Sequence, residues 1–245
     1  RLTNDVGDEG APAWSPDGRR LAFSFNPRAE LASELAVLPD GRRVLWAWLF
    51  DRRSGETRGA SGWSGELALP RELTLGEDSR LRLRPIEELK RLRYNEQSAR
   101  DIEVPSGKEV VLEKIAGNTL ELAVTLEAGA AKQVGIKVCR SPDCEEETLI
   151  VYDAEKRKLK IDTGKSSLAE GPKTVESAPY ALTSGEPLSL RVFVDRSVVE
   201  VFAADGRQAL VRRVYPVRVD STGVSVFANG GPARVRELRC WQMAP

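Results

Sequence analysis

Short runs of apolar and β-branched residues, broken by Gly, Pro, Asn and Asp clusters, dominate this chain and predict strands far more often than helices. The clearest run is LRVFVDRSVVEVFAADGRQALVRRVYP, Leu190 to Pro216. With a turn at Asp195-Arg196-Ser197-Val198, Val194 faces Val199, Val192 faces Val201 and Leu190 faces Ala203. That collects a core stripe on one side of a hairpin. The other side pairs Phe193 with Glu200 and Arg191 with Phe202. Arg-Ser is not the Asn-Gly type of two-residue turn, so a longer loop or bulge stays open. Asp205-Gly206 predicts the turn into a third strand.

Further strands are expected at 109–114, 119–126, 133–138, 148–153, 158–162, 223–228 and 233–241. Turn signals between them recur as two-sheet antiparallel folds require. Helical spacing is confined to Pro85–Leu92, where Ile86, Leu89 and Leu92 follow a proline at a first-turn position. Arg53 to Gly62 reads as a soft loop. Near the start, PDGRRLAF (Pro16 to Phe23) and PDGRRVLW (Pro39 to Trp46) are near copies, each a Pro-Asp-Gly turn feeding an apolar strand.

Composition narrows the chemistry. Of 245 residues, 41% are hydrophobic and 30% charged, with 37 basic and 37 acidic side chains, so no net field gathers nucleic acid or an anionic membrane. No apolar run reaches the length of a membrane span. Histidine is absent, which removes Ser-His-Asp and Cys-His catalysis and His-based zinc sites. Cys139 and Cys144 flank a Ser-Pro-Asp turn, leaving a local bridge or two reduced thiols as alternatives; Cys240 stands apart. No cofactor or metal is expected. There is no signal-peptide pattern, but the chain opens on Arg1, so an incomplete N-terminus is expected and the compartment stays unassigned.

Several motifs together resemble glycoside hydrolase family 32, the invertases, levanases and inulinases. Val151-Tyr152-Asp153, Asp162 with Lys165-Ser166-Ser167-Leu168, the Leu190–Pro216 run, Phe227-Ala228-Asn229-Gly230-Gly231 and Trp241-Gln242-Met243 are similar to its C-terminal β-sandwich. The Arg-Arg-Val-Leu-Trp strand, Gly62-Trp63, Leu69-Pro70-Arg71-Glu72-Leu73 and the Pro85 to Arg93 connector resemble the last blade of its propeller, with Ala47 where the family often has Gly. GAPAWSPDGRRLAFS resembles a TolB-like propeller repeat. The resemblance implies an all-β chain: an antiparallel two-sheet β-sandwich (a concanavalin-like jelly roll) preceded by an incomplete propeller blade. The expected domains are a TolB-like or irregular hairpin segment at 1–40, a blade remnant and connector at 41–93, and the sandwich at 94–245.

The resemblance implies a non-catalytic sandwich module of a fructoside hydrolase whose parent acts on sucrose or fructans. The alternatives are a glycosidase that needs missing blades and a free-standing carbohydrate-binding module. The family's nucleophile, transition-state Asp and acid/base Glu lie in Trp-Met-Asn-Asp-Pro-Asn-Gly, Arg-Asp-Pro and Glu-Cys-Pro segments, none of which occurs here. No catalytic residue is therefore assigned. Asp195 and Glu200 share a strand face, but an ion pair or a satisfied sheet-face carboxylate explains them better than a catalytic pair. Trp48 is the one candidate substrate-binding residue, a ring for a sugar to stack on, with packing of Trp46 and Trp48 as the other reading. The acidic run Asp143 to Glu147 lacks the spacing of a calcium loop, and Lys156-Arg157-Lys158 reads as charge guarding a sheet edge. The partners expected are a fructan or sucrose-type carbohydrate and a second copy through the partial blade, with neither nucleic acid nor membrane.

Overall fold

The computed structural model describes residues 31–244, together with the backbone of strands at 8–9, 13–14 and 20–26; side chains are described from residue 35 onward. The chain divides into two compact units, Arg1–Glu87 and Glu88–Pro245. Among the described residues no helix is long and apolar enough to cross a membrane.

The first unit holds β1 (Asp8–Glu9), β2 (Ala13–Trp14), β3 (Arg20–Asn26), β4 (Leu31–Val37), β5 (Arg43–Leu49), α1 (Gly55–Ser61), β6 (Glu66–Leu67), β7 (Arg71–Leu75) and β8 (Leu81–Pro85). Its antiparallel sheet runs β1-β3-β4-β5-β7-β8, with β2 on β3 and β6 on β5. The second Pro-Asp-Gly turn forms as expected, with the Asp40 carboxylate accepting from the Arg42 N–H. Pro16 to Arg19 of the first copy lie outside the described residues. The expected soft loop is instead the short helix α1. Ser54 caps it by accepting from the Thr57 N–H, and Gly62 ends it in the left-handed conformation. Ser before and Gly after were helix signals in plain view, but seven residues with no apolar stripe gave no periodicity to read.

A 3₁₀ helix (Glu87–Leu92) stands where Pro85–Leu92 predicted helical spacing, and it buries Leu89. The second unit follows with β9 (Arg93–Val104), β10 (Lys108–Ala116), β11 (Thr119–Glu127), β12 (Gln133–Arg140), β13 (Glu147–Asp153), β14 (Lys158–Lys165) and β15 (Val175–Pro179). It continues with β16 (Leu188–Asp195), β17 (Val198–Ala203), β18 (Gln208–Arg213), β19 (Gly223–Asn229) and β20 (Ala233–Met243). They form two antiparallel sheets, β10-β19-β12-β13-β14-β15 and β18-β17-β16-β11-β20-β9. The core between them includes Leu120, Leu122, Ile136, Ile150, Ile161, Val192, Val201 and Val226, each fully or almost fully buried. Each such aliphatic side chain contributes about 1.5–3 kcal/mol by leaving water.

The β16–β17 register is the one the alternation predicts: Val194↔Val199, Val192↔Val201, Leu190↔Ala203 and Phe193↔Glu200. Asp195 pairs with Val198, so the turn holds only Arg196 and Ser197, and the longer loop left open does not occur. Two strands of the second unit escaped the sequence reading, β9 and β15. Both end a sheet, and most of their side chains face water. An edge strand that buries little carries little apolar alternation.

Candidate functional site

Trp48 lies near the end of β5, opposite Leu67 of β6. Trp46, two residues earlier, is half-buried, whereas Trp48 is 38% exposed. The chain passes closely beneath the indole at Gly65, where a built Cβ would sit 2.5 Å from the ring, so only glycine fits. Phe50, two positions along, and Trp63 are also exposed, at 43% and 40%. The Arg53 guanidinium lies 4.4 Å from the Trp63 ring centre. Buried Asp51 anchors that arginine, accepting from Arg53 Nε and from Nη2 at 2.7 Å, while Arg53 Nη1 donates to Ser61 Oγ. Three exposed aromatic rings and the exposed Leu67 thus lie within residues 48–67. Sequence reading singled out Trp48 alone; the exposure of Phe50 and Trp63 beside it carries no periodic signal in the sequence.

The sandwich carboxylates serve a different purpose. Asp195 is exposed at the β16–β17 turn and Glu200 is buried opposite Phe193, beside the edge-to-face pair Phe193–Phe202, with ring centres 6.0 Å apart. Glu121, fully buried on β11, takes Arg93 through both oxygens and also accepts from Arg191 Nε at 2.9 Å. Arg93 and Arg239 in turn flank Trp241, at 4.0 and 4.8 Å from its ring centre.

Asp153 is buried, which raises its pKa. The Lys160 ammonium, the Lys156 N–H and Gln133 outweigh that and hold it at about 2. Burial likewise raises Glu109, and the hydrogen bond from Lys137 with the charges of Lys137 and Arg140 brings it below its ordinary value. Glu146 is also net lowered: burial opposes, and the Ser221 hydroxyl and three backbone N–H groups prevail. Glu96, Asp143, Glu186 and Asp220 are moved downward as well, by the arginines, hydroxyls and N–H groups bonded to them. A general acid for glycoside cleavage needs the opposite displacement.

Glu109, Cys144 and Glu147 bring three ligand atoms within 4.8 Å of one another. Lys137 Nζ already lies 2.7 Å from Glu109 and 2.8 Å from Glu147, and Arg140 Nε reaches Glu109 at 2.5 Å. An ammonium therefore fills the place a metal ion would take. The acidic run splits three ways: Asp143 and Glu145 bind Arg218, Glu146 turns inward, and Glu147 meets Lys137. The basic run is not at a sheet edge, contrary to expectation. Lys158 of β14 pairs with Asp153 on one side and Pro179 on the other, and Arg157 holds a left-handed turn position at φ 53°. Cys139, Cys144 and Cys240 are all free, and burial first, then a neighbouring glutamate, pushes the Cys139 and Cys240 thiols up to about 12.

Known proteins align with this arrangement along its length. A levanase of Bacillus sp. (strain L7) is 30% identical over 234 residues, covering 92% of this chain and 25% of the levanase. A sucrose-6-phosphate hydrolase of Staphylococcus xylosus is 31% identical over 193 residues, covering 78% of this chain and 37% of that enzyme. The chain thus spans well under half the length of these relatives. Fructan 1-exohydrolase IIa of Cichorium intybus, solved with 1-kestose, superposes with a TM-score of 0.80 at 20% identity, covering 98% of this chain and 60% of the other. The profile described as "Glycosyl hydrolases family 32 C terminal" matches residues 88–242, the two-sheet unit. The chain belongs to glycoside hydrolase family 32 and carries its C-terminal β-sandwich.

Proposed function

We propose that this chain is the non-catalytic sandwich module of a fructoside hydrolase, joined to a last-blade remnant of the propeller at 41–93. The parent activity is hydrolysis of sucrose or fructan glycosidic bonds, the substrates named by its relatives. One observation carries the reading: Glu109, Glu146 and Asp153 of the sandwich are held ionised by Lys, Arg, hydroxyl and backbone donors, in anchoring roles. Retaining glycosidases instead need two carboxyl groups about 5–5.5 Å apart, one kept protonated.

The exposed rings favour a second role for the first unit, contact with carbohydrate through Trp48. Exposed Leu75 and Leu81, directly opposed on β7 and β8, favour self-association of the same unit. The decisive assay is fructose release from sucrose, inulin and levan by the purified chain. No turnover is expected, and turnover abolished by changing a single carboxylate would overturn the reading. Retention on immobilised fructan is expected to fall when Trp48 becomes Ala; unchanged retention would remove Trp48 from the proposal.

A further inference from the structure

Two long connections of the sandwich converge on one side chain. Residues 166–174 join β14 to β15, and residues 214–222 join β18 to β19. Glu146 sits in the β12–β13 turn and is fully buried. Its Oε1 accepts from the Leu168 N–H at 2.8 Å and the Val217 N–H at 3.0 Å. Its Oε2 accepts from the Arg218 N–H at 3.1 Å and the Ser221 hydroxyl at 2.6 Å. Four donors from two loops, 22 and 71–75 residues away, thus fill one carboxylate.

The turn that presents Glu146 is itself braced. Ser141 N–H donates to the Glu146 carbonyl, and Ser141 Oγ accepts from the Glu146 N–H while donating to Asp143. Asp143 and Glu145 then grip the Arg218 guanidinium, which also binds Asp220. Val214 roots the start of the second loop in the core, but the apolar side chains near the carboxylate, Leu168, Val217 and Val219, are exposed. Hydrogen bonds to a buried charge are the strong kind, and losing the acceptor leaves several donors unsatisfied at once.

We propose that Glu146 is a latch that closes both loops as one unit, so that release or engagement of one loop is transmitted to the other through a shared carboxylate. Of the titratable groups around it, Cys139 on β12 feels its charge, while Asp143 and Glu145 on its own turn and Asp220 on the second loop bind the guanidinium of Arg218, whose backbone N–H donates to Glu146. Because the folded-state pKa of Glu146 lies below its ordinary 4.5, the latch is engaged above that pH and is lost as the pH falls through the lowered value.

Hydrogen–deuterium exchange on the full chain at neutral pH tests this. Glu146→Gln is expected to speed exchange about tenfold or more in both 166–174 and 214–222, while β12 and β13 keep their protection. Ser221→Ala removes one donor from the second loop only, and it is expected to speed exchange at 167–169 as well. Acidification is expected to loosen both loops in the native chain and to add nothing in Glu146→Gln. The proposal is overturned if Ser221→Ala affects its own loop alone, or if either variant raises exchange evenly across the sandwich. Should Glu146→Gln fail to fold, Ser221→Ala decides by itself.

Discussion

Gly135 shows how tightly single residues are constrained on β12. A Cβ placed there would sit 1.9 Å from the Ile150 carbonyl oxygen and 3.2 Å from the Phe227 ring. The near atom is backbone of the neighbouring strand, so no rotamer change relieves the clash. Gly135→Ala must push β12 and β13 apart at the centre of the sheet, where Gly135 pairs with both Val151 and Phe227. The expected loss is about 3 kcal/mol or more, at the high end for overpacking. Urea denaturation followed by fluorescence measures it, and a variant within about 0.5 kcal/mol of the parent, the range of an ordinary surface change, would contradict the close approach. A glycine inside an apolar strand run signals such an approach in general, but the sequence names no neighbour. The same limit applied to Glu146, which reads as one more acid in an exposed run until the fold turns it inward.

The β16–β17 hairpin was legible in its register and in the place of its turn, but not in the conformation that turn adopts. Two-residue parity alone decides which of its residues meet the core, whereas the turn depends on what neighbouring strands do. Arg196 takes φ 48° there, a left-handed position in which a non-glycine residue costs about 1–2 kcal/mol. Backbone bonds from outside the hairpin hold it: Arg196 N–H donates to the Asn118 carbonyl, and Val214 N–H donates to that of Ser197. Arg196→Gly keeps both bonds and relieves the strain, against about 0.4–1 kcal/mol for the greater freedom of glycine in the unfolded chain. The balance favours the variant by about 0.5–1 kcal/mol. Its thermal midpoint is expected to rise, and a fall would mean that the exposed Arg196 side chain contributes more than its conformation costs.

At the scale of the whole chain, motif resemblance located the sandwich, and periodicity located most of its strands. The division between units was harder to read, because the connector is polar on either side of it. The structure draws it at Glu87/Glu88, inside the Pro85–Arg93 connector, so we propose the second unit as a folding domain. Its central cluster runs from Val104 to Cys240 and takes every member from that unit. Its first strand is tied to its last, with β9 on β20 and the Ala244 N–H donating to the Leu92 carbonyl, so the two ends of this unit lie together. A two-sheet domain of this size buries enough apolar surface to fold without staples, and the free thiols are not needed as any. Residues 88–245 expressed alone are therefore expected to unfold in one cooperative transition and to sediment as a monomer. The exposed Leu75–Leu81 pair lies in the other unit, so only the full chain should sediment faster than a monomer as its concentration rises. A non-cooperative or aggregated 88–245 fragment would move the domain boundary, and concentration-dependent sedimentation of that fragment would place the self-association surface on the sandwich.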